Sequence, residues 1–422
     1  MVDFAPLEAI TYQASLANLS VLAPPYDVIS AEQLERLRRA SPYNIAHILL
    51  GPTLTAEGWH QEAADTFRRW LGEGILQRQT APAYWVYQQT FSLGDGRLRT
   101  RTGILGRLKL VPWGEGVYRH EHTRARAKQD RLELVRAVRA NLSPVFGLYR
   151  GASLGAYLTP PVKPWLDATD EGGVRHIAWP IGEPEALSAI QQAFASQEVV
   201  IADGHHRYET ALAYREERRR AEGNPPFPLP CDYVLAYLVA LDDPGLCILP
   251  THRLIGPHPP IDKRALLHDL STQFETVPYP SLTDLLMALE GSQGPAFGCS
   301  LGEAGLWLLR VRDAESVRRR LSDHLPEELA MLDVVLLQEC LLGPILGISA
   351  EDLAHGNRLS YTIDAQEAWQ ATREGKAEAA FFLKPTPLTQ VWQAATHGVV
   401  MPQKSTYFYP KPLSGIVINP LE

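Results

Sequence analysis

Residues 199–212 read Val-Val-Ile-Ala-Asp-Gly-His-His-Arg-Tyr-Glu-Thr-Ala-Leu, and the interpretation of the chain starts from this stretch. The apolar residues 199–202 are typical of a short buried strand. Gly204 can adopt the backbone conformations that allow a tight turn beside a ligand. Residues 207–222 then predict a helix, which Asn224 and the prolines after it end. The stretch therefore predicts a strand, a tight loop and a helix in direct succession.

The loop between strand and helix has the chemistry of a phosphate-binding site. N–H groups at the start of a helix point outward with partial positive charge, which suits phosphate oxygens. Arg207 can add a bidentate charged contact, and His205 or His206 can donate hydrogen bonds or transfer protons. The structural alternative is an Asp203 that caps the helix, with two histidines on the surface.

Around this loop, strands and helices follow one another without regular βαβ spacing. Helices are predicted at residues 31–39, 56–73, 124–140, 183–195, 262–274, 282–289, 326–343 and 387–396. Strands are predicted at residues 84–91, 100–108, 145–149, 174–179, 233–240, 297–301, 306–311, 359–363 and 379–383. This order predicts an α+β fold, with mixed sheets flanked by helices, rather than a doubly wound sheet.

The domain organisation is predicted from length and from one proline-rich segment. A chain of 422 residues is expected to form two or three domains. The segment 256–260, Gly-Pro-His-Pro-Pro, is typical of a hinge. We expect an N-terminal α+β region over residues 1–256 that carries the loop. A C-terminal α+β lobe is expected over residues 261–422, with the hypothesis that its last loop returns to the site.

A second group of polar residues begins at His120-Glu121-His122-Thr123 and continues into the helix that carries Lys128 and Arg131. Glu121 precedes the helix in a glycine-rich loop and is a candidate general base toward a hydroxyl. The alternative for the arginine-rich part of this stretch is a charged helix face exposed to solvent.

The third group lies in residues 398–412, where prolines, aromatic residues and hydroxyls predict an ordered loop. Lys404, Ser405 and Thr406 resemble an anion-binding cluster in composition. The Gly-x-x-x-x-Gly-Lys-Ser/Thr pattern is absent, so this loop is not a P-loop. The alternative is a structural plug in which the aromatic residues 407–409 pack into the core.

Composition excludes several classes of function. A net charge of −8 disfavours nonspecific binding to nucleic acids or anionic membranes. The four cysteines form no CxxC pair, and the start of the chain lacks the pattern of a signal peptide, so we expect a cytoplasmic protein. No apolar run reaches the roughly 20 residues that span a bilayer. No HExxH or similar spacing predicts a dedicated metal site, and magnesium carried by nucleotide phosphates is the favoured metal.

Together, the motifs resemble those of the bacterial and archaeal domain-of-unknown-function family 1015. The resemblance lies in motifs spread over nearly the whole chain: residues 23–29, His120-Glu121-x-Thr123, Asp130-Arg131, residues 141–146, residues 203–211 and residues 401–411. The name of this family implies no activity.

A more distant resemblance suggests a chemistry. The Asp-Gly-His-His-Arg loop looks like the phosphate-binding loop of the ParB/sulfiredoxin superfamily, which includes free serine kinases with an Asp-Gly-His-x-Arg loop. It implies a nucleotide- and phosphate-binding core of that type in the α+β fold. Histidines replace the catalytic cysteine of sulfiredoxin, which argues against reductase chemistry. The net charge argues against the DNA-binding role of ParB proteins.

The resulting hypothesis is phosphoryl transfer on a small hydroxylated metabolite, with serine and phosphoserine as the favoured pair and either direction open. ADP or ATP with Mg²⁺ are the expected cofactors. The catalytic candidates are Glu121, Asp203, His205, His206 and Arg207, with Asp203 or Glu121 as the base that deprotonates the hydroxyl or the attacking water. The phosphate- and substrate-binding candidates are Tyr26, Asp27, His120, Thr123, Lys128, Arg131, Asn141, Gly204, Thr210, Lys404, Ser405 and Thr406. The alternative is a nucleotide-binding regulatory protein of ParB-like type without catalysis, and a nucleic-acid-associated protein is less favoured.

Overall fold

The structure, a computed structural model, describes residues 2–121, 125–151, 154–256, 259–323, 325–330, 332–348, 352 and 358–422. The chain divides into two compact units by its internal contacts. The first unit comprises residues 1–119, 123–247 and 410–422, and the second comprises residues 120–122 and 248–409. Within the described ranges, every helix is too short or too polar to cross a bilayer.

The first unit contains a mixed sheet with helices around it. Its strands are β1 (Phe4–Ala5), β2 (Ile10–Tyr12), β3 (Leu76–Arg78), β4 (Tyr84–Ser92), β5 (Leu98–Lys109), β6 (Val117–Arg119), β7 (Ala140–Asn141), β8 (Val145–Tyr149), β9 (Leu166–Thr169), β10 (Arg175–Ile181), β11 (Val199–Asp203) and β12 (Tyr233–Ala240). Its helices are α1 (Ala31–Ala40), α2 (Ala46–Leu49), α3 (His60–Gly72), α4 (Ala125–Val138), α5 (Pro184–Phe194) and α6 (His205–Ala221).

The main sheet of this unit has the strand order β6-β11-β8-β12-β5-β4-β10-β9, with β1 added to β5. Strand β11 pairs parallel with β6 and antiparallel with β8. β8 also pairs parallel with β12, so the sheet is mixed. Gly147 in β8 leaves room for side chains from both neighbouring strands. A Cβ atom at residue 147 would lie 2.7 Å from the side chains of both Leu238 in β12 and Val199 in β11.

The second unit has a six-stranded antiparallel sheet of its own, in the order β15-β17-β16-β19-β14-β18. The strands from here on are β13 (Cys247–Leu249), β14 (His252–Ile255), β15 (Phe274–Tyr279), β16 (Ala296–Ser300), β17 (Leu306–Val311), β18 (Leu359–Thr362), β19 (Ala379–Phe382) and β20 (Tyr407–Tyr409), and β21 (Asn419–Pro420) returns to the first unit. The helices are α7 (Lys263–Gln273), α8 (Leu282–Glu290), α9 (Ala314–Ser322), α10 (Glu327–Ala330), α11 (Asp333–Leu337), α12 (Ala365–Arg373) and α13 (Leu388–Thr396). Both units combine helices with mixed or antiparallel sheets, which confirms the predicted α+β fold class.

One predicted helix is broken in the structure. The helix expected over residues 326–343 consists of α10, α11 and a π-helical turn at Gln338–Leu342, with Leu332 in an extended conformation between α10 and α11. All of Val334–Leu337 are buried, so apolar residues do not mark one face. The apolar pattern therefore could not locate the interruption.

Candidate phosphate-binding site

The loop after strand β11 has the geometry that its sequence predicts. β11 ends at Asp203, Gly204 has a φ of +89°, and helix α6 begins at His205. A Cβ atom at residue 204 would lie 2.9 Å from Cζ of Arg207, so the position requires glycine for space as well as for conformation. The N–H groups of His205, His206 and Arg207 lie in the first turn, where a helix offers them no acceptor. This end of α6 therefore favours an anion.

A buried cluster of three charges, Asp203, Arg207 and Lys411, lies at the same place. One carboxylate oxygen of Asp203 accepts a hydrogen bond from Nη2 of Arg207 at 2.5 Å, and the other accepts one from Nζ of Lys411. The three side chains are 10–12% exposed. Burial raises the pKa of Asp203, but Lys411 and Arg207 more than offset it and hold that pKa below its ordinary value. Asp203 is therefore a fixed anion that orients two cations.

Lys411 is positioned by buried polar contacts on its own backbone. Arg101, fully buried in strand β5, donates to the carbonyl oxygen of Pro410 and to Oε1 of Gln89. Nε2 of Gln89 donates to the carbonyl oxygen of Lys411 at 3.0 Å. The guanidinium of Arg101 lies over the ring of Phe146, 4.7 Å from its centroid. These contacts fix residues 410 and 411, so Lys411 reaches Asp203 from an ordered segment.

The C-terminal segment also joins two other motifs of the first unit. Ser414 exchanges backbone hydrogen bonds with Ala23, in the stretch that precedes Tyr26. Its hydroxyl lies 2.6 Å from the hydroxyl of Ser143, and the next residue, Gly415, donates its N–H to the carbonyl oxygen of Leu142. Nη1 of Arg207 donates a hydrogen bond to the carbonyl oxygen of Pro144, the residue after Ser143. Motifs that are far apart in the sequence thus meet around the Asp203 loop.

A cavity of about 50 Å³ adjoins Arg207 in this unit. Five predicted site residues are among those that line it: Tyr26, Arg131, Asn141, Arg207 and Thr210. Thr210 is 3% exposed, and its Oγ1 has no hydrogen-bond partner within the described part of the chain. A buried hydroxyl without a partner is costly, so this group is suited to a ligand or a water molecule in the cavity.

Arg131 is held rigidly at this cavity. It is buried, and its Nη1 donates to the carbonyl oxygen of Leu49 at 2.8 Å while its Nε donates to Asp130 at 2.9 Å. Its guanidinium lies 4.4 Å from the ring centroid of Tyr26 and 5.5 Å from that of Trp59. Burial raises the pKa of Tyr26 to about 12, with Asp27 adding to it and Arg131 opposing it. Tyr26 is therefore a neutral hydrogen-bond donor at physiological pH.

Two predicted binding residues of this unit have other contacts in the structure, and a third is exposed. Nζ of Lys128 donates to Glu209 of helix α6 at 2.8 Å. Oδ1 of Asn141 accepts hydrogen bonds from the backbone N–H of Leu235 at 3.1 Å and from Nδ2 of Asn419. These two bonds join β7 to β12 and β21. Asp27 is exposed in a 3₁₀ turn. Asn141 thus supports the sheet as well as lining the cavity.

The other predicted residues that the structure describes belong to the second unit, where His120 is part of a buried cluster. His120 is fully buried, and its Nε2 lies 2.8 Å from Oγ1 of Thr406. The carbonyl oxygen of His120 accepts a hydrogen bond from the backbone N–H of Met401. Met401 also forms a β-bridge with Glu121. Thr123 lies outside the described residues. His120 and Thr406 were predicted to bind substrate, and their side chains contact each other.

The loop at Lys404 is held by main-chain contacts. Its carbonyl oxygen accepts from Nη2 of Arg253 at 3.1 Å, and its φ is +57°. The carbonyl oxygen of Ser405 accepts from Thr386, and the Ser405 hydroxyl donates back to Pro402 at 2.5 Å. Burial lowers the pKa of Arg253 to about 10, although Tyr361 and Glu121 oppose this. Arg253 stays cationic at neutral pH, and the side chain of Lys404 is exposed.

Lys411 and Arg101 contribute to the site but were not predicted from the sequence. Lys411 lies within the quoted 401–411 motif, but no pattern indicates a partner 208 residues away. Arg101 stands in a strand between two threonines, where a charged residue at an inward position is the available signal. In the described ranges, no group of three or more His, Cys, Asp or Glu side chains could hold a metal ion.

Comparisons with known proteins give one family match and several structural similarities. The family model described as "Protein of unknown function (DUF1015)" matches residues 4–335. No curated protein matches the chain.

Three solved structures illustrate the structural similarities. A conserved hypothetical protein from Pyrococcus furiosus is 14% identical with a TM-score of 0.34, covering 72% of this chain and 90% of its own. A free serine kinase in complex with AMP is 14% identical with a TM-score of 0.35, covering 72% and 86%. SbnI with a C-terminal truncation, from Staphylococcus aureus, is 10% identical with a TM-score of 0.35, covering 74% and 85%. None of these values supports a conclusion about activity.

Proposed function

Because the chain belongs to the DUF1015 family, as its motifs predicted, and that description names no activity, we propose a function from the first unit itself: phosphoryl transfer at the loop of residues 203–207. The proposed substrate is a small hydroxylated metabolite or its phosphate ester, with serine and phosphoserine as the favoured pair. In one direction a nucleotide phosphorylates the hydroxyl. In the other, water attacks phosphorus, the bond from phosphorus to the serine oxygen breaks, and that oxygen takes up a proton.

The observation that carries this proposal is the charge cluster at the start of helix α6. Arg207 and Lys411 are each paired with Asp203, so the three groups together carry one net positive charge. Their burial strengthens every electrostatic interaction with a bound anion. The positive end of a 17-residue helix adds to the same field. Such an arrangement stabilises the charge that spreads over the oxygens of a transferring phosphoryl group.

The geometry supports a proposal of different roles for the polar residues of the loop. Asp203 is a poor general base, since its pKa is held low and both of its oxygens already accept hydrogen bonds from cations. It is proposed instead to fix Arg207 and Lys411 against the phosphate. Proton transfer then falls to His205 or His206, with Glu121 as the further candidate from the sequence. Gly204 allows the backbone N–H groups to approach the phosphate closely.

A nucleotide is the proposed phosphoryl donor in the kinase direction. The described residues offer no cluster of acidic or imidazole ligands for a resident metal. Mg²⁺ is therefore proposed to arrive with the phosphates of ADP or ATP, as is usual for this ion. The loop would contact those phosphates through Gly204 and Arg207.

The test is turnover in both directions. Purified protein is incubated with phosphoserine, and separately with serine and ADP or ATP, with and without Mg²⁺, while phosphate and phosphoserine are measured. Conversion in either mixture is expected. An absence of turnover in every mixture would refute catalysis. Tight nucleotide binding in the same samples would then support the regulatory alternative.

A pair of variants on one helix tests the role of the loop. Arg207→Gln removes a cation of the cluster, and we expect kcat/KM to fall by about 10²-fold or more. The matched control is Arg218→Gln on the same helix, because Arg218 pairs with Glu222 at the surface. Its kcat/KM should equal that of the wild type. Equal activity of Arg207→Gln and the control would assign the reaction to another place on the molecule.

A further inference from the structure

A second concave site lies among the N-terminal helices of the first unit, and no predicted site residue lines it. It is a pocket of about 230 Å³ between α1, α2 and α3. Three basic side chains line it, those of Arg38, His47 and Arg69, together with the ring of Trp59. None of the residues that line the cavity beside Arg207 is shared with it.

Arg38 is anchored by two main-chain acceptors, and one of its N–H groups lacks a partner in the described ranges. Its Nη2 donates to the carbonyl oxygens of Leu50 at 2.9 Å and Gly51 at 2.8 Å. Its Nε is buried and has no hydrogen-bond partner in the described ranges. Two main-chain acceptors thus hold the guanidinium in place, so a ligand would meet it already oriented. The buried Nε is a donor that remains to be satisfied.

Arg69 adds a second guanidinium that the rest of the described chain does not neutralise. It has neither an ion pair nor a side-chain hydrogen bond with any described residue, although it lines the pocket. The adjacent Arg68 differs, since it pairs with Asp65 at 2.9 Å. One helix therefore carries an arginine used in a surface ion pair next to an arginine that faces the pocket.

The charged side chains that line the pocket sum to a positive net charge, because two arginines face one glutamate. Among the described lining residues, Glu62 alone is acidic. The pKa of His47 is lowered by burial and by Arg38 and Arg69, while the carbonyl oxygen of Ser41 opposes this. A neighbouring positive charge lowers the pKa of an imidazole by disfavouring its protonated form. An anion in the pocket would compensate Arg38 and Arg69.

We propose that the pocket of Arg38, His47 and Arg69 binds a small phosphate monoester. Two guanidinium groups match the charge and geometry of a phosphate, which arginine binds through paired N–H groups. The buried ring of Trp59 offers an apolar surface to the group that carries the phosphate. This proposal does not depend on the proposed function of the Asp203 loop.

The experiment uses the full chain with Arg207→Gln, so that phosphate at the other loop contributes little. The probes are inorganic phosphate and phenyl phosphate, compared with chloride at equal ionic strength. NMR follows the imidazole signal of His47, which the His47→Gln variant identifies among the 13 histidines. Either probe should raise the pKa of His47, because the bound anion favours the imidazolium. Phenyl phosphate is expected to bind more tightly than inorganic phosphate.

Matched substitutions on helix α3 complete the test. Arg69→Gln should weaken binding by about tenfold, as expected for a lost hydrogen bond to a charged group. Arg68→Gln makes the same change of charge one residue away and should leave the affinity unchanged. Equal affinities of the two variants would overturn the proposal, as would a His47 pKa that is the same in phosphate and in chloride. Neither result would affect the proposed reaction at Asp203.

Discussion

Replacing Lys411 by methionine tests the buried charge cluster of the first unit. The substitution keeps the length of the side chain and removes its charge. Asp203 then retains Arg207 as its cationic partner in surroundings where both side chains are about one-tenth exposed. We expect a less stable first unit, because part of the buried carboxylate charge is left uncompensated.

The expected magnitude follows from this burial. Removing one partner of a buried ion pair costs about 3–5 kcal/mol. Because Arg207 remains in place, the lower end of the range applies, about 3 kcal/mol. For a unit of this size each kcal/mol lowers Tm by roughly 2–4 °C, so the expected decrease is about 6–12 °C.

The pH dependence of unfolding separates this effect from a general loss of packing. The pKa of Asp203 is held below its ordinary value of about 3.9 in the folded protein, and Lys411 is part of the cause. The stabilisation that the ionised Asp203 carboxylate gives the folded protein is therefore complete above the pKa of Asp203 in the unfolded chain. It is lost as pH falls through the pKa of Asp203 in the folded protein. The difference in the free energy of unfolding between wild type and Lys411→Met should be largest near pH 7 and should become smaller below about pH 4.

Differential scanning calorimetry and urea unfolding over this pH range provide the measurement. Lys163→Met is the control, because Lys163 is an exposed lysine of the same unit. Its stability should lie within about 0.5 kcal/mol of the wild type. An equally small effect of Lys411→Met, or a loss that is constant with pH, would refute the role given to Lys411.

Three further outcomes are expected. Gly204→Ala should lose about 1–2 kcal/mol in urea unfolding, because φ is +89° and the new Cβ would lie 2.9 Å from Cζ of Arg207; a wild-type midpoint would contradict this. Burial raises the pKa of Asp333 to about 6 against the opposing effect of Lys384, so ionisation destabilises the fold as pH rises through that value. Asp333→Asn should therefore be more stable than wild type by about 2 kcal/mol at pH 8 and gain nothing near pH 4, as pH-dependent calorimetry can show. Cys299 is fully buried with a raised thiol pKa, so it should resist a thiol reagent at pH 8 until the protein unfolds, and labelling of the native protein would contradict the fold.

Much of the fold could be predicted from the sequence where a strand is buried throughout and bounded by turns. Strands β8, β12 and β17 were predicted with the bounds that the structure has. Short strands such as β6 and β9 were missed, because three or four residues carry too little pattern to separate a strand from a loop.

The start of the key helix shows a more instructive difference. The helix was predicted from residue 207, whereas α6 begins at His205. Gly204 is left-handed and ends the strand abruptly, so both histidines belong to the first turn. Their backbone N–H groups are therefore part of the candidate anion site, in addition to the side-chain roles that the sequence predicted for them.

The contacts around Asp203 could be predicted only in part. Arg207 is four residues from Asp203 on the same strand-to-helix connection, so local spacing indicates the pair. Lys411 and the Ser143–Ser414 contact depend on where a distant segment returns, which no local pattern specifies. The buried hydroxyl of Thr210, which has no hydrogen-bond partner among the described residues, likewise becomes evident only when its neighbours are placed.

The return of residues 410–422 to the first unit gives the protein an order of assembly during translation. Residues 248–409 belong to the second unit, so the ribosome makes nearly all of it between Asp203 and Lys411. At about 5–20 residues per second, the 208 residues from Gly204 to Lys411 delay the lysine by roughly 10–40 s. During that interval the nascent chain has the Asp203–Arg207 pair without its second cation. The anion site is therefore completed only after nearly all of the second unit has been synthesised.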